Sequence, residues 1–190
     1  MKLEDRILEI SKKYKLPHIG SCLSVLPILV NIYNHRNCHD LIILDNAHAH
    51  VAHLVVKEEY EQLSNIEKRL IKWGIHCERK AGCDATGGSL GHGIGIGIGL
   101  AIVDRCRTVH CIVSDGSMME GSNWEALRIR DSLKLKNLKI YANFNGFTAL
   151  DIVDRLTIEQ RMRTFDQDID FYWTDNGKGL QGIKGHYAIL

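Results

Sequence analysis

Three short apolar runs, separated by segments long enough for helices, constrain the fold of this chain more than any other feature. Each run contains β-branched residues, and the runs are "LIIL" at 41–44, "VHCIV" at 109–113 and "LKIYA" at 138–142. Short, continuously apolar strands are typical of a parallel sheet with both faces covered. Their alternation with helices predicts an α/β fold, with a mainly parallel sheet flanked by helices.

Local patterns predict where the helices and a further strand lie. Apolar residues at helical spacing predict one helix near residues 3–10, another over 22–34 and a helical stretch from 48 to 53. Capping-box patterns predict three more helix starts, at "SNIE" (64–67), "SNWE" (122–125) and "TIEQ" (157–160). Gly74 should end the first of these helices. Residues 75–90 have a loop pattern, and "DFYWT" (170–174) is a candidate late strand.

Length and charge limit the class of protein. A chain of 190 residues fits one domain and can bury a sizeable core. Its 24 basic and 23 acidic side chains nearly balance, so we expect neither a nucleic-acid partner nor a membrane-surface one. The chain begins with an amphipathic pattern instead of a signal segment, and no stretch is long and apolar enough to cross a membrane. We therefore expect a cytoplasmic protein.

The cysteines have a spacing that disfavours a zinc site. The chain has six of them and no C-x-x-C pair. Without a secretory signal, we expect all six to be reduced thiols.

Polar residues follow the second and third apolar runs. Asp115 and Gly116 come after "VHCIV", and Asn145 comes after "LKIYA". In a right-handed βαβ unit both strand ends lie at the same edge of the sheet, so we expect Asp115 and Asn145 to meet. Their oxygen atoms suit magnesium, and Gly116 would let the backbone approach a phosphate. Both residue types are also common in turns and caps, and spacing alone leaves that alternative open.

The segment from 115 to 145 resembles the thiamine-diphosphate motif of transketolases. The matching residues are Asp115-Gly116, Glu120-Gly121, Trp124-Glu125-Ala126, Asn137-Leu138 and Asn145. Three earlier segments resemble further transketolase blocks in the same order: "LPHIGSCLSVLPILVNIY", "LDNAHAHVAHL" and "HCERKAGCDATGGSLGHGIGIGIGLA". A weaker likeness extends to "TDNGKGLQGI" near the end of the chain.

The resemblance implies a thiamine-diphosphate-binding fold and a set of cofactor contacts. It implies that magnesium, or calcium or manganese in its place, is held by Asp115, the Asn145 side chain and the backbone carbonyl of Phe147. Leu90 is expected near the aminopyrimidine ring. The other residues expected along the cofactor are His48, Gly88, Ser89, Gly116, Ser117 and Glu120.

Three histidines match family positions that face the diphosphate, the thiazolium side or the bound sugar. These are His18, His48 and His76, and the resemblance makes them candidates for catalytic proton handling. Histidine suits this role because its pKa lies near neutral pH. Taken singly, they could be a turn residue, a core residue and a solvated loop residue. His50 and His53 match no family position, and we expect them to be structural or surface residues.

The resemblance implies that the chain works in a thiamine-diphosphate and magnesium-dependent transferase. Such an enzyme moves a two-carbon ketol unit between sugars or sugar phosphates. We expect residues 1–190 to form a single diphosphate-binding domain, with the pyrimidine-binding domain on a partner chain, in a homodimer or heterotetramer. The alternatives are a subunit like deoxyxylulose-phosphate synthase or a 2-oxoacid decarboxylase, and a non-catalytic assembly or regulatory subunit.

Several residues depart from the family pattern. Ser114 replaces the first glycine of G-D-G, whereas Cys77 and His92 replace a proline and a glutamine on the expected substrate side. These departures bear on the identity of the substrate more than on the identity of the cofactor.

Two other motif interpretations fail. The glycine run at 87–102 never satisfies the dinucleotide pattern G-x-G-x-x-G, and we expect it to let a helix pack closely on its neighbours. The run from His48 to His53 lacks the aspartate of a metallo-hydrolase cluster, because Ala52 stands there.

Overall fold

A computed structural model of the chain describes residues 2–148 and 151–173. Its four strands form one sheet in the order β1-β2-β3-β4, and each neighbouring pair is parallel. The strands are β1 (Leu41–Leu44), β2 (Val109–Ser114), β3 (Leu138–Phe144) and β4 (Asp170–Trp173). The predicted α/β fold with a parallel sheet is confirmed. The "TDNGKGLQGI" segment and the last residue of "DFYWT" lie outside the described residues.

Helices connect and cover these strands. The described residues form α1 (Leu3–Tyr14), α2 (Ile19–His35), α3 (His50–Glu61), α4 (Ile66–Trp73), α5 (Gly93–Val103), α6 (Gly121–Ser132) and α7 (Arg155–Arg163). Short 3₁₀ turns lie at Ala47–Ala49, Arg79–Ala81 and Ser117–Met119. Within the described ranges, no helix has both the length and the apolar character that crossing a bilayer requires.

The sheet has a hydrophobic core on each face. Successive side chains of a strand point to opposite faces, so Ile42 packs with α1–α4 and Ile43 packs with α5–α7. In β2 the same alternation sends Ile112 to the first core and Cys111 to the second. Burial on both faces explains why these strands have continuous apolar runs instead of alternating ones.

Two of the predicted capping boxes do not form. The N-cap of α4 is Asn65, which has a left-handed φ of 61° and makes no side-chain cap bond. Helix α6 begins at Gly121, one residue before the predicted cap. The Ser122 hydroxyl donates instead to the backbone carbonyl of Gly91, at 2.8 Å. Both segments have the residue types of a capping box. At the first, Asn65 adopts a turn conformation and becomes the N-cap. At the second, the Ser122 hydroxyl bonds to Gly91 and does not cap the helix.

The third predicted start, "TIEQ", is also displaced. Helix α7 begins at Arg155, and its N-cap is Asp154, whose carboxylate accepts the backbone N–H groups of Leu156 and Thr157. Aspartate at the N-cap satisfies two amides that have no partner within the helix. Helix α2 likewise begins three residues earlier than predicted, at Ile19.

The glycine run forms α5, and two of its four glycines are in close contact with the rest of the fold. A Cβ added to Gly93 would lie 2.6 Å from the Cβ of Asp45. A Cβ added to Gly97 would lie 2.8 Å from Cδ1 of Leu138. A Cβ added to Gly95 or Gly99 would meet no atom within 4 Å. Close packing is therefore the role of the buried pair only.

Candidate functional site

Asp115 and Asn145 lie in contact at the carboxyl edge of the sheet. Ser114 pairs with Asn143 in the β2–β3 ladder, so the two segments leave the sheet side by side. The backbone N–H of Asn145 donates to Oδ2 of Asp115 at 2.7 Å, and that of Gly146 donates to Oδ1 at 3.3 Å. The adjacency expected from the βαβ arrangement is therefore present in the fold.

The Asp115 carboxyl is almost completely buried, with 1% of the residue's surface exposed. Burial raises the pKa of Asp115 to about 6, because a low-dielectric environment disfavours the charged form. Hydrogen bonds from the N–H groups of Asn145 and Gly146, and the charge of Arg155, oppose this pKa shift without cancelling it. A divalent cation beside Asp115 would offset the cost of burying the carboxylate.

A tight turn follows Asn145. Its side-chain Oδ1 accepts the backbone N–H of Phe147 at 2.9 Å, and Gly146 turns the chain with a φ of +85°. Phe147 then pairs with Ile152 in an isolated antiparallel bridge. The turn keeps the Phe147 backbone near the Asn145 side chain. The role of the Phe147 carbonyl stays a prediction.

The Gly88–Leu90 turn approaches the end of β2. A Cβ added to Gly116 would lie 3.0 Å from Cδ1 of Leu90, so a side chain at position 116 would press on Leu90. Gly88 lies beside His76, whose Cγ is 4.0 Å from a Cβ placed on that glycine. Gly88 and Ser89 are both exposed. Leu90 therefore lies next to Gly116, the residue that follows Asp115.

The three candidate histidines fall into two places. The rings of His18 and His48 lie 4.7 Å apart, centroid to centroid, and His48 Nε2 is 3.1 Å from the Ser21 hydroxyl. His18 has a left-handed φ of 65° at the start of α2. His76 is exposed and lies next to the Gly88 turn.

Ser114 takes part in a local serine turn. Its hydroxyl lies 3.1 Å from that of Ser117 and accepts the Ser117 backbone N–H at 3.3 Å. The Ser117 hydroxyl accepts the Ser114 N–H at 3.0 Å, and Ser117 is fully buried. The serine that replaces a family glycine thus braces the turn after β2.

Glu120 is exposed, and a Cβ on Gly91 would lie 2.7 Å from the Glu120 Cβ.

Sequence patterns gave no indication of the role of Asp45 beyond its place at the end of a strand. Asp45 is 2% exposed, and its carboxylate accepts the backbone N–H groups of Gly91, at 3.0 Å, and of Gly93. The Asn123 side-chain amide donates to the same carboxylate at 3.3 Å. Asp45 therefore ties β1 to the starts of α5 and α6, and no local pattern links residues so far apart in sequence.

Arg155 also lies outside every sequence motif. As the first residue of α7 it lies beside Gly146, with Nε 3.4 Å from a Cβ placed on that glycine. Its guanidinium also stacks 4.9 Å from the Trp173 ring centroid. The structure thus adds a cation near Asp115 that no motif indicated.

Comparison with known proteins gives consistent relatives. Residues 2–163 match the model of the 1-deoxy-D-xylulose-5-phosphate synthase family. The 6-deoxy-6-sulfo-D-fructose transketolase subunit of Clostridium sp. (strain MSTE9) is 28% identical, over 94% of this chain and 70% of its own length. An apulose-4-phosphate transketolase subunit of Actinobacillus succinogenes is 33% identical, over 46% of this chain and 35% of its own. Human transketolase is 29% identical, over 67% of this chain and 24% of its own.

Solved structures share the fold. Transketolase from Leishmania mexicana superimposes with a TM-score of 0.62 at 18% identity, over 84% of this chain and 31% of its own. Transketolase from Campylobacter jejuni gives a TM-score of 0.61 at 15% identity, over 87% of this chain and 32% of its own. The chain therefore spans about a third of these transketolases, and 70% of the Clostridium protein.

Proposed function

Because the chain belongs to the transketolase family, we propose that it is the diphosphate-binding part of a split, transketolase-like enzyme. The proposed reaction is transfer of a two-carbon ketol unit between sugars or sugar phosphates, with thiamine diphosphate and magnesium as cofactors. Two relatives whose names describe them as transketolase subunits support the split arrangement.

The contact between Asp115 and Asn145 carries the proposal. Asp115 offers a buried carboxylate, and Asn145, whose backbone N–H contacts it, would add a side-chain amide oxygen. Magnesium prefers oxygen donors of these kinds. Magnesium usually keeps few protein ligands and completes its octahedron with water and phosphate oxygens. We propose Asp115, the Asn145 side chain and the Phe147 carbonyl as the protein ligands.

The surrounding backbone would hold the diphosphate. Gly116 has no side chain, so it would let a phosphate approach the backbone beside Leu90. From the family resemblance, we propose that Gly88, Ser89 and Glu120 also lie along the cofactor, and that Ser117, whose side chain is buried, supports the turn beside it. Bound thiamine diphosphate supplies the carbon nucleophile for breaking and forming bonds next to a carbonyl group.

The histidines would handle protons and orient hydroxyl groups. The rings of His18 and His48 lie 4.7 Å apart at an angle of 44°, so both could face the same ligand. His76 lies apart from that pair, beside Gly88, and is open to solvent. We propose all three as catalytic residues that face the substrate, with His48 also contacting the cofactor.

A partner chain would complete the active site. We propose that residues 1–190 form only the diphosphate-binding domain, and that the partner carries the pyrimidine-binding domain in a homodimer or heterotetramer. The proposal predicts little or no ketol transfer by the purified chain alone and full transfer after reconstitution with its partner. Full activity of the chain by itself would refute the split arrangement.

Calorimetry tests the cofactor site without a partner. Wild type should bind thiamine diphosphate in the presence of magnesium, and Asp115→Ala should weaken that binding by at least about 100-fold, more than the loss typical of a residue that only supports a ligand. Asp168→Asn, at a carboxylate 76% exposed, is the matched control and should bind like wild type. Failure of wild type to bind would favour a non-catalytic role.

Substrate assays on the reconstituted enzyme separate the remaining alternatives. Ketose plus aldehyde should give ketol transfer. Turnover of pyruvate with an aldehyde, in place of a ketose, would instead favour chemistry like that of deoxyxylulose-phosphate synthase.

A further inference from the structure

A cluster of sulfur and imidazole groups lies between α3 and the segment that follows α4. His50 and His53 are three residues apart on the buried side of α3, and both are 0% exposed. Cys77 and Cys83 flank the short 3₁₀ turn at Arg79–Ala81 and are 4% and 7% exposed. The turn closes because the backbone N–H of Cys83 donates to the Glu78 carbonyl at 3.2 Å. Four potential metal ligands therefore converge without any C-x-x-C motif.

The spacing of these groups matches metal coordination. Cys83 Sγ lies 3.2 Å from His50 Nδ1 and 3.9 Å from His53 Nδ1. One ligand atom each of His50, Cys77 and Cys83 all lie within 4.8 Å of one another. Around a tetrahedral zinc ion, with Zn–S of about 2.3 Å and Zn–N of about 2.0 Å, the ligand atoms are separated by roughly 3.4–3.8 Å. The two distances from Cys83 lie within about 0.2 Å of that range, and His53 joins the group of His50, Cys77 and Cys83 through its contact with Cys83.

The His50 nitrogen that faces Cys83 is Nδ1, and hydrogen bonding within the described part of the chain leaves the other nitrogen of the ring unsatisfied. His50 Nε2 is buried and has no hydrogen-bond partner among the described residues. Buried polar atoms are seldom left this way, because an unpaired polar group in the interior costs free energy.

We propose that His50, Cys77 and Cys83, with His53 as fourth ligand, bind a zinc ion. Thiolate and imidazole donors select zinc over magnesium, whereas the oxygen donors of Asp115 and Asn145 select magnesium. The chain would then hold two chemically different metal sites. Coordination uses thiolates and neutral imidazoles, so any thiol that is protonated releases its proton to solvent as zinc binds.

The zinc site would be structural and would position the nearby cofactor-binding turn. Cys77 directly follows His76, and its carbonyl accepts the Gly87 backbone N–H at 3.0 Å. Fixing Cys77 therefore fixes both His76 and the start of the Gly88–Leu90 turn. The ion would link this segment to α3, which begins two residues after His48.

Metal analysis of the untagged full chain tests the site directly. Protein purified from zinc-supplemented cells should contain one zinc per chain, and both Cys77→Ser and Cys83→Ser should lose most of it. Cys111→Ser removes an equally buried thiol on the other face of the sheet, and Cys38→Ser removes an exposed one. Both controls should retain zinc. Zinc-free wild type, or equal zinc in Cys83→Ser, would overturn the proposal.

Cobalt provides a readout that does not depend on the variants folding. Metal-stripped wild type titrated with Co²⁺ should develop the visible bands of a tetrahedral complex and near-ultraviolet thiolate charge transfer, and Zn²⁺ should displace both. A spectrum typical of octahedral Co²⁺ would overturn the proposal. The denatured, metal-stripped chain should show six reactive thiols. Two fewer thiols would instead indicate a Cys77–Cys83 disulfide and would also overturn it.

Discussion

The Asp45 carboxylate at the end of β1 accepts the backbone N–H of Gly91 at 3.0 Å, which ties the approach to α5 to the sheet. Asp45 also accepts from Gly93 and from the Asn123 amide, so all its described partners are donors. Asp45→Asn would turn one acceptor into a donor that faces these N–H groups. We expect a loss of about 1–3 kcal/mol in the free energy of unfolding, measured by urea denaturation.

The control for Asp45 is Asp131→Asn. Asp131 is 45% exposed and pairs with Lys134 on the surface of α6, where such pairs contribute little. An equal loss in both variants would contradict a specific role for the buried carboxylate.

The glycines of α5 give a matched pair of substitutions in one helix. Gly97→Ala should lower the free energy of unfolding by roughly 1–3 kcal/mol, because its Cβ would press on the fully buried Leu138. Gly95→Ala should raise it by about 0.5–1 kcal/mol, because alanine is the better helix former and the site is open. Chemical denaturation of both variants measures the difference, and effects of the same sign would contradict the packing argument.

Magnesium-dependent cofactor binding should weaken in acid. The pKa of Asp115 is raised to about 6 by burial, so the carboxyl is protonated below that pH and must lose its proton to bind the ion. We expect affinity to be flat above pH 7 and to fall by up to about tenfold for each pH unit below 6. Calorimetry at several pH values measures this dependence.

Arg155→Gln serves as the comparison for the pH dependence. The charge of Arg155 lowers the pKa of Asp115, so removing that charge should move the midpoint of the affinity profile to higher pH. Comparing two proteins with the same ligand cancels the protonation of the diphosphate itself. An unchanged midpoint would show that Asp115 does not control the profile.

Acid should also destabilise the packing of α1 against α4. Glu67 accepts from Lys13 and from the Tyr14 hydroxyl, both at 2.6 Å, and from Arg6 at 3.0 Å. These contacts, that of Lys13 first, lower the pKa of Glu67 from 4.5 to about 2. A lowered carboxyl pKa gives stability that is present above pH 4.5 and lost as the pH falls towards 2.

Glu67→Gln measures this contribution. The difference in free energy of unfolding between wild type and variant should be largest near pH 7 and should shrink between pH 4.5 and 2. Urea denaturation across that range provides the measurement. A difference that stays constant with pH would mean that the charge of Glu67 is not responsible.

His76 offers a test of catalysis that spares the fold. Its side chain is exposed, so His76→Gln should leave stability and cofactor affinity unchanged. In the reconstituted enzyme it should lower kcat for ketol transfer by about 10²–10⁴-fold, the usual contribution of a general acid or base. His39→Gln, at another exposed histidine, should behave like wild type, and equal kcat values would remove His76 from the proposed mechanism.

Some parts of the site were predictable from the sequence because their physical basis is local. The apolar runs predicted β1, β2 and β3, and the handedness of βαβ units then placed Asp115 beside Asn145. Helix starts were predicted less well. A capping pattern states only that a cap is available, and at Ser122 the hydroxyl found a partner on Gly91 instead.

The sequence by itself determined the fold class, the family likeness and the edge of the sheet where Asp115 and Asn145 meet. Only the tertiary structure decided which glycines of α5 are in close contact, what Asp45 binds, and that Cys77 and Cys83 converge on His50. The physical reason is distance along the chain. Cys83 and His50 are 33 residues apart and Gly91 and Asp45 are 46 apart, so their contacts depend on how whole elements pack and leave no periodic or local signal.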